Sequence, residues 1–296
     1  MISIVYNPVS GKRNMAERIS AETEAYLKSK GHAVTRTASQ KAGHITELAK
    51  QAAMNGDSAF IVVGGDGSCS EAAAGLALSR CALGIVPCGT GNDFCKTAGI
   101  PRDPRKAMEL IASSQPVETD VGIINGERIF LNEAGAGFDV DVLRRAAKYK
   151  KRFHGMLPYL IGVLSAACHY RTMTLSYEIG GEKHVNEQMT VCSIANGQFI
   201  GGGIQIAPLA VLDDGLFDIE LLRPISAKHL AQRVVTLLKK KILSMPEMTR
   251  CTSDCFAIES KGMYVNIDGE VLPMDRAEFR LLKHALLVYR TKGGAE

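Results

Sequence analysis

The chain has 296 residues, of which 46% are hydrophobic and 22% are charged, with a formal net charge of +4. These proportions are close to those of ordinary globular proteins, so they exclude an intrinsically disordered chain and allow one large domain or two ordinary ones. The small positive charge suits acidic partners such as phosphates or anionic lipid headgroups, although it does not select one of them.

Eight cysteines are spread along the chain, and no two form a Cys-x-x-Cys pair or a zinc-like spacing with histidine. This predicts free thiols in a reducing cytosol. The N-terminus lacks the basic head and apolar run of a secretory signal, so we expect no export. The longest apolar run, residues 156–168, has about thirteen residues against roughly twenty for a bilayer span, so it could touch a membrane without crossing it.

The first 118 residues alternate short apolar runs with helix-like stretches. Predicted strands lie at residues 2–6, 33–37, 59–63 and 83–86, and predicted helices follow Pro8, carry Ile45, Leu48 and Ala52, and cover residues 68–78. Continuously apolar strands that alternate with helices predict a parallel sheet covered on both faces. Ligands of such sheets bind beyond the carboxyl ends of the strands.

After about residue 118 the pattern changes to closely spaced strands with Gly and Asn turns. We predict strands at 119–124, 129–131, 173–179, 189–195 and 217–222, and helices at 140–149, 157–169 and 227–243. This spacing is typical of an antiparallel sandwich. A last strand at 279–289 is expected to return to the first domain. We therefore predict an α/β domain over 1–118 with 277–296, and a β-sandwich domain over 119–276.

Gly64-Gly65-Asp66-Gly67-Ser68 stands where a buried strand should end and a helix begin. Glycines there let backbone N–H groups approach an anion, and a helix N-terminus favours negative charge, so the loop could hold a phosphate. Asp66 would repel a phosphate unless a positive group lay between them, which suggests a magnesium or phosphate-network role. The alternative is an ordinary glycine turn in which Asp66 caps the helix.

A second glycine loop, residues 87–94, follows the next predicted strand and reads Pro-Cys-Gly-Thr-Gly-Asn-Asp-Phe. It should lie at the same sheet edge as the first loop, which favours a nucleotide site. Neither loop matches the P-loop motif, and Phe94 stands where Gly-x-Gly-x-x-Gly needs its third glycine. A P-loop enzyme and a standard NAD-binding dehydrogenase are both disfavoured.

Two acidic segments follow in the second half of the chain. Asp213-Asp214-Gly215 could bind a cation through carboxylate and carbonyl oxygens, or could be an ordinary Asp-Gly hairpin turn. Glu270 follows Asp268-Gly269 at a predicted strand end, from which its carboxylate could reach into a cleft between the domains. A solvated glutamate is the simpler alternative.

Taken together in their order, these motifs resemble the diacylglycerol kinase catalytic-domain family, which includes bacterial lipid kinases and the sphingosine and ceramide kinases. The resemblance rests on Asn7-Pro8-x-Ser10-Gly11, Gly64 to Ser68, Pro87 to Phe94, Gly137-Phe138-Asp139, Gly201 to Gly203 with Pro208, Asp213 to Gly215, and Asp268-Gly269-Glu270. It covers nearly the whole chain. It implies a Rossmann-like nucleotide domain and a β-sandwich domain with the active site between them.

The resemblance also implies roles for individual residues. The ATP-binding residues would be Asn7, Ser10, Ser39, Gly64, Gly65, Asp66, Gly67, Ser68, Glu71 and Thr90. Glu270 would be the general base, with Asp66 as a second catalytic residue. Asp214, with the carbonyls of Val211 and Leu216, would hold a structural Mg²⁺ ion.

The implied activity is ATP-dependent phosphorylation of a lipid hydroxyl, with diacylglycerol as the first substrate to consider and Mg²⁺ as cofactor. Glu270 would accept the hydroxyl proton during direct in-line transfer. Three alternatives stay open: a kinase of another lipid such as phosphatidylglycerol or a sphingoid base, an NAD kinase, and a catalytically silent lipid-binding protein. The Thr90-to-Phe94 string argues against NAD kinase, and intact Asp66, Asp214 and Glu270 argue against a silent protein.

Residues 144–152 contain six basic side chains directly before the apolar run from residue 156. They predict either docking on an anionic membrane or a solvated helix face followed by a core helix. We expect a cytoplasmic protein that meets its lipid substrate peripherally, at the inner membrane surface. Nucleic acid is disfavoured because only Tyr149 and Phe153 accompany the basic residues. A homodimer is compatible with the sequence.

Overall fold

The structure is a computed structural model that describes residues 1–149, 153 and 157–291. The chain divides into two compact units. The first unit comprises Met1–Val121, Val211–Asp214 and the described residues from Leu282 onward, and the second comprises Gly122–Ala210 and Gly215–Leu281. The sequence-based division, by comparison, placed the boundaries at residues 118 and 277.

The first unit is built on a parallel sheet. Its elements are β1 (Ile2–Tyr6), α1 (Met15–Ser29), β2 (Val34–Ala38), α2 (His44–Met54), β3 (Ala59–Gly64), α3 (Asp66–Leu76), β4 (Ala82–Pro87), α4 (Asp93–Thr97) and α5 (Pro104–Ser113). The strands lie in the order β2-β1-β3-β4, and Val288, near the end of the chain, pairs in parallel with Leu83 of β4. Every residue of β3 and β4 is buried, which explains their continuously apolar sequences.

The predicted parallel α/β architecture is confirmed, with two local corrections. The helix predicted over 68–78 begins at Asp66 and ends at Leu76, because Leu78 adopts a left-handed φ of 64° and donates its N–H to Ala285 O over 2.6 Å. Helix α5 was not predicted. Its signal was present, since Asp103 accepts a hydrogen bond from Arg105 N–H at the cap and Pro104 occupies the first helical position.

Arg290 binds segments of the first unit that lie far apart in the sequence. Only 4% of it is exposed, and its guanidinium donates to Thr119 Oγ1 (2.8 Å), Glu118 O (2.9 Å) and Asp213 Oδ2 (2.6 Å). A buried cation needs both an opposite charge and satisfied donors, and these three contacts supply them. The segment Val211–Asp214 is thereby tied to the first unit although it lies far from that unit in the sequence.

The second unit is mainly antiparallel. Its elements are β5 (Val117–Ile124), β6 (Arg128–Phe130), β7 (Glu133–Gly137), α6 (Phe138–Tyr149), α7 (Leu157–Cys168), β8 (Met173–Ile179), β9 (Glu182–Met189), β10 (Val191–Ala195), β11 (Phe199–Ile200), β12 (Ile204–Gln205), β13 (Phe217–Leu222), α8 (Ala227–Leu238), a 3₁₀ turn (Ile242–Ser244), β14 (Met248–Ser253), β15 (Cys255–Glu259), β16 (Tyr264–Ile267), β17 (Glu270–Pro273) and β18 (Arg276–Val288). Strand β5 begins in the first unit, and β18 ends there.

Two sheets of the second unit enclose an apolar core. One sheet has the order β14-β13-β10-β7-β16-β17, and the other pairs the start of β18 with β15, β8 and β9. Phe130 lies at the centre of the core, where its ring stacks on Phe217 at 5.6 Å and meets the edge of Phe279 at 6.3 Å. Such contacts stabilise aromatic pairs beyond simple burial. The predicted β-sandwich is confirmed.

Two predicted elements of this unit were wrong in extent. The strand predicted over 189–195 is interrupted at Thr190, whose N–H donates to Leu222 O (2.7 Å), and β9 and β10 belong to different sheets. The helix predicted over 227–243 ends at Leu238, because Lys240 adopts a left-handed φ of 58°. Strands β14 and β15 were not predicted, and of β16 and β17 only a strand end beside the Asp268-Gly269 turn was predicted. Among the described residues, no helix is long and apolar enough to cross a membrane.

Strand β13 buries carboxylates on the face away from the core. Phe217, Ile219 and Leu221 point into the core, whereas Asp218 and Glu220 alternate with them and are also fully buried. Asp218 forms an ion pair with Arg250. Glu220 has no hydrogen-bond partner for either carboxylate oxygen within the described part of the chain. Burial, followed by the charge on Asp218, raises the pKa of Glu220 to about 7.

We expect Glu220→Gln to change how stability depends on pH. The pKa of Glu220 is higher in the folded protein than its ordinary value of 4.5, so the parent protein loses stability as the pH rises through about 7. The variant lacks this titration. Its melting temperature relative to the parent should therefore increase by several degrees between pH 5 and pH 8, as measured by thermal denaturation.

The exposed Glu278, which pairs with Arg276, provides the control. Glu278→Gln should show no comparable pH-dependent gain. A Glu220→Gln difference that stays constant from pH 5 to pH 8 would contradict the titration of a buried carboxyl group.

Candidate active site

The two glycine loops of the first unit lie in direct backbone contact. A Cβ atom on Gly89 would stand 2.5 Å from Gly65 Cα, so neither position has room for a side chain facing the other. Cys88 N–H also donates to Gly64 O over 2.9 Å. The prediction that the loops after β3 and β4 meet at one sheet edge is confirmed. Glycine is required here because the backbones approach so closely.

The Asp66 carboxylate joins the two loops. It accepts hydrogen bonds from the N–H groups of Asn92 (2.7 Å), the N-cap of α4, and Asp93 (2.5 Å), the first residue of that helix. The cap of α3 is Gly65, so Asp66 binds the N-terminus of α4 and does not cap its own helix. Burial, followed by the charge of Asp93, raises the pKa of Asp66, while the two backbone N–H groups favour its ionised form.

The loop after β1 contributes polar groups to the same edge. Asn7 Nδ2 donates to Ser68 Oγ over 3.4 Å, and a Cβ on Gly64 would lie 3.8 Å from Ser10 Oγ. Gly11 has a φ of 75°, and a Cβ there would come within 2.6 Å of Cys88 O. The structure thus brings Asn7, Ser10 and Ser68 together with the first glycine loop. Amide, hydroxyl and backbone N–H groups at helix N-termini form a suitable setting for phosphate oxygens.

The remaining residues predicted to bind the nucleotide differ in their surroundings. Ser39 is half-buried and donates its N–H to Tyr6 O over 2.9 Å. Glu71 accepts the Ile45 N–H at 3.1 Å, so its carboxylate binds the N-terminus of α2. Gly67 and Thr90 are exposed. The Glu71 contact has no local signal in the sequence, because it joins residues of two helices.

Glu270 follows a two-residue hairpin turn in the second unit. Asp268 and Gly269 form the turn with φ values of 49° and 92°, and Ile267 pairs with Glu270 across it. Positive φ at both central residues is typical of the tight Asp-Gly hairpin. The Glu270 side chain is 59% exposed and forms an ion pair with Arg128 of β6, a partner that the sequence analysis did not identify.

Two further carboxyl groups lie buried near this hairpin. Glu133 accepts hydrogen bonds from Ser193 Oγ (3.0 Å) and Asn266 Nδ2 (2.8 Å), and the Asn266 amide also lies 3.3 Å from Asp139 Oδ2. Burial raises the pKa of Glu133 well above its ordinary range, and the Asp139 carboxylate raises it further. Asp139 belongs to the motif noted in the sequence, whereas Glu133 and Asn266 were not singled out.

The residues predicted to hold Mg²⁺ lie on both sides of a unit boundary. Val211 and Asp214 belong to the first unit, Leu216 to the second, and both Val211 and Asp214 are exposed. Asp213, the neighbour of Asp214 in this turn, forms an ion pair with Arg290. One carboxylate and two carbonyls are hard oxygen donors of the kind that Mg²⁺ takes. Among the described residues, no cluster of three acidic, cysteine or histidine side chains forms a metal site.

Asp66→Ala should weaken both the fold and ATP binding. The change removes a charged acceptor from two buried N–H groups, which should lower the free energy of unfolding by about 2 to 4 kcal/mol. It also releases the second glycine loop from the first, so affinity for a non-hydrolysable ATP analogue should fall by about tenfold or more, as measured by calorimetry.

Asp103→Ala supplies the matched control, because this residue also binds a helix N-terminus in the first unit. It should cost about 1 kcal/mol of stability without changing nucleotide affinity. If Asp66→Ala binds ATP as tightly as the parent, the Asp66 hydrogen bonds are not needed for nucleotide binding, and the prediction is wrong.

Comparison with known proteins identifies the family. Residues 1–124 match the family model described as the diacylglycerol kinase catalytic domain, and residues 132–290 match that of the YegS C-terminal NAD kinase beta sandwich-like domain. Proteins named diacylglycerol kinase from Mycobacterium tuberculosis and Bacillus subtilis are 30% and 29% identical to this chain. Each alignment covers 99% of this chain, with 96% and 97% of the respective relative.

Solved structures show the same fold. A diacylglycerol kinase from Bacillus anthracis superposes with a TM-score of 0.74 at 20% identity, covering 99% of this chain and 98% of that one. An NAD kinase from Archaeoglobus fulgidus in complex with ATP has a TM-score of 0.55 at 12% identity, covering 99% and 94%. At such identities the likeness concerns the fold alone. The sequence matches also show the family, because the relative from Mycobacterium tuberculosis is 30% identical over 99% of this chain. This chain therefore belongs to the diacylglycerol kinase catalytic-domain family of lipid kinases.

Proposed function

We propose that this chain transfers the γ-phosphate of ATP to the hydroxyl group of diacylglycerol, giving phosphatidic acid. The observation that carries the proposal is the exposed Glu270 carboxylate, which stands on a tight hairpin of a lipid-kinase chain. An accessible carboxylate on a rigid element can take a proton from a substrate hydroxyl. Diacylglycerol is preferred because it is named for relatives that align over 99% of this chain.

The two units take different parts in this proposal. The first unit binds ATP, with the glycine-loop N–H groups and the side chains of Asn7, Ser10 and Ser68 directed at the phosphates, while Asp66 keeps the two loops together. Ser39, Glu71 and Thr90 complete the ATP-binding set. The second unit binds the lipid and supplies Glu270. Transfer is direct and in line, and the fixed N–H groups stabilise the charge that develops on the phosphoryl oxygens.

Mg²⁺ is proposed as the cofactor. Asp214, with the carbonyl oxygens of Val211 and Leu216, would hold one ion through hard oxygen donors. The exposed Asp214 carboxylate is a hard oxygen ligand of the type that suits this ion. When bound, Mg²⁺ neutralises negative charge on phosphate or carboxylate groups.

Two alternatives differ in substrate. A kinase of phosphatidylglycerol or a sphingoid base would use the same Glu270 chemistry, because only the lipid hydroxyl changes. An NAD kinase has a related fold, but the likeness to the solved NAD kinase stands at 12% identity. The alignment over nearly the whole length of proteins named diacylglycerol kinase favours a lipid.

Radiolabelled ATP with Mg²⁺ should label diacylglycerol in preference to phosphatidylglycerol, sphingosine, ceramide, undecaprenol and NAD. Glu270→Gln should retain ATP binding and lose about 10² to 10⁴ in turnover, the usual contribution of a positioned general base. Rates are measured with each acceptor at equal concentration, and ATP affinity by calorimetry.

Glu259→Gln is the matched control, since Glu259 is 53% exposed in an ion pair with Arg276, much as Glu270 is 59% exposed with Arg128. Its turnover should stay normal. If another acceptor is labelled in preference to diacylglycerol, that acceptor becomes the proposed substrate. If Glu270→Gln keeps full turnover, Glu270 is not the general base.

We further propose that the enzyme works in the cytoplasm and binds peripherally to the inner membrane surface through α7. Leu157, Leu160 and Leu164 are 44%, 43% and 53% exposed at helical spacing, so they form an apolar stripe. A diacylglycerol keeps its acyl chains in the bilayer, so the kinase must reach it there. An apolar stripe beside basic residues suits the interface of an anionic bilayer.

Two basic residues of the segment 144–152 also contact other parts of the second unit. Arg144 lies over the Tyr264 ring at 4.4 Å, and Arg145 donates to Ser165 Oγ at 3.1 Å, so both also stabilise the fold. Lys148 is exposed. Lys150, Lys151 and Arg152 lie outside the described residues.

Replacing Leu160 and Leu164 together by serine should weaken binding to anionic vesicles by about tenfold or more, because each leucine loses much of its apolar burial in the bilayer. Activity on vesicles should fall, while activity on a short-chain soluble diacylglycerol stays unchanged. Parent binding should weaken with salt, as the screening length drops from roughly 10 Å at 0.1 M to 3 Å at 1 M.

Val185→Ser changes a residue that is 59% exposed on β9, and vesicle binding should be unaffected. Equal losses on vesicles and on the soluble substrate would assign the α7 leucines to the fold or the active site and reject the membrane surface.

A further inference from the structure

The Asp268 carboxylate binds three consecutive backbone N–H groups. Its Oδ2 accepts from Leu131 (2.7 Å), and its Oδ1 accepts from Asn132 (2.9 Å) and Glu133 (3.0 Å). In return, Asp268 N–H donates to Glu133 O over 2.9 Å. Hydrogen bonds to an ionised carboxylate are stronger than neutral ones. Four hydrogen bonds therefore attach this one turn residue to the connection between β6 and β7.

Asn266 fixes the other side of the same turn. Its Oδ1 accepts the Gly269 N–H at 2.8 Å, while its Nδ2 donates to Glu133 Oε2 at 2.8 Å. The reverse orientation of the amide would place its oxygen against a carboxylate and its NH₂ against an N–H group, so only one orientation satisfies all partners. Both N–H groups of the two-residue turn are thus bound to the sandwich.

These contacts determine where Glu270 stands. Glu270 directly follows the Asp268-Gly269 turn, and its ion-pair partner Arg128 lies three residues before Leu131, to which Asp268 is bound. Asp268 therefore holds both the backbone that carries the Glu270 carboxylate and the connection that follows its Arg128 partner. Both carboxylate oxygens of Asp268 accept backbone N–H groups, so Asp268 is less suited than Glu270 to accept a proton from the substrate.

We infer that Asp268 is a positioning residue for the lipid kinase reaction: by binding the N–H groups of Leu131 to Glu133, it fixes the hairpin that presents Glu270 to the substrate hydroxyl. This inference rests on the proposed role of Glu270 as general base. Displacing a catalytic group by about 1 Å can cost roughly 10²-fold in rate, so a loosened hairpin should lower turnover without altering nucleotide binding.

The test is a double-mutant cycle with Asp268→Ala, Glu270→Gln and the combined variant, measuring kcat and KM on diacylglycerol and the KM for ATP. Asp268→Ala should lower kcat by about 10- to 100-fold and leave the KM for ATP within about twofold. In the Glu270→Gln background the same change should have almost no further effect, because the group that Asp268 positions is already absent.

Two additional variants separate positioning from simple folding. Asp268→Asn should lower kcat less than Asp268→Ala does, because its amide oxygen can still accept the Asn132 and Glu133 N–H groups, although its NH₂ then faces the Leu131 N–H. Asparagine also tolerates the left-handed turn. Asp275→Ala removes another turn carboxylate of the second unit, which accepts the Gly262 N–H at 2.6 Å. It should lower the melting temperature while leaving kcat within about twofold of the parent.

Each outcome bears on the inference. If the losses from Asp268→Ala and Glu270→Gln multiply, or if Asp275→Ala lowers kcat as much as Asp268→Ala does, positioning by Asp268 is rejected while Glu270 remains the base. If Glu270→Gln turns over normally, the base assignment fails and the positioning role fails with it. Should Asp268→Ala not fold, Asp268→Asn is used in the same cycle, and a multiplicative loss there rejects the inference equally.

Discussion

The candidate nucleotide site depends on the partly buried Asp66 carboxylate and the two backbone N–H groups that bind it. Asp66 is partly buried between two loops whose glycine backbones touch, where an ionised side chain without partners would be unfavourable. The N–H groups of Asn92 and Asp93 make that burial acceptable. In turn, the carboxylate gives the N-terminus of α4 a negative partner, so each loop determines the position of the other.

In the second unit, too, a carboxylate accepts backbone N–H groups, and there it fixes a hairpin turn. Asp268 binds the N–H groups of Leu131 to Glu133, and Asn266 completes the turn, so the backbone is fixed while Glu270 stays exposed. Rigid backbone and accessible side chain are separate requirements for a catalytic carboxylate. Two residues of one hairpin, separated only by Gly269, meet them here: the Asp268 carboxylate binds backbone N–H groups, and the Glu270 carboxylate is exposed.

Local pattern was sufficient for the architecture. The continuous apolar runs at β1, β3 and β4 predicted a parallel sheet, and the closely spaced strands after residue 118 predicted the sandwich. Prediction failed where a single residue redirects the chain, as at Thr190, between strands of two sheets, and at Lys240, where a left-handed residue ends the helical course. Neither residue type predicts the end of a strand or helix, because threonine is common in strands and lysine is common in helices.

The candidate site was predictable in its motifs and much less so in its contacts. The glycine loops and the Asp-Gly-Glu turn stand out in the sequence, and the sheet rule placed the two loops at one edge. The partners of Asp268 could not be found in this way, because 135 to 137 residues separate it from the N–H groups that it binds. Arg128 and Asn266 were missed for the same reason, since an isolated arginine or asparagine in a strand carries no local signal.

The return of the chain to the first unit has a consequence for synthesis. Val288 pairs with Leu83 in the parallel sheet, and Arg290 binds Thr119 and Asp213. A ribosome adds roughly 5 to 20 residues per second, so about ten to thirty seconds pass between residue 121 and Arg290. During that interval the nascent first unit exposes the edge of β4 to other chains. That edge is therefore completed only after the whole second unit has been synthesised.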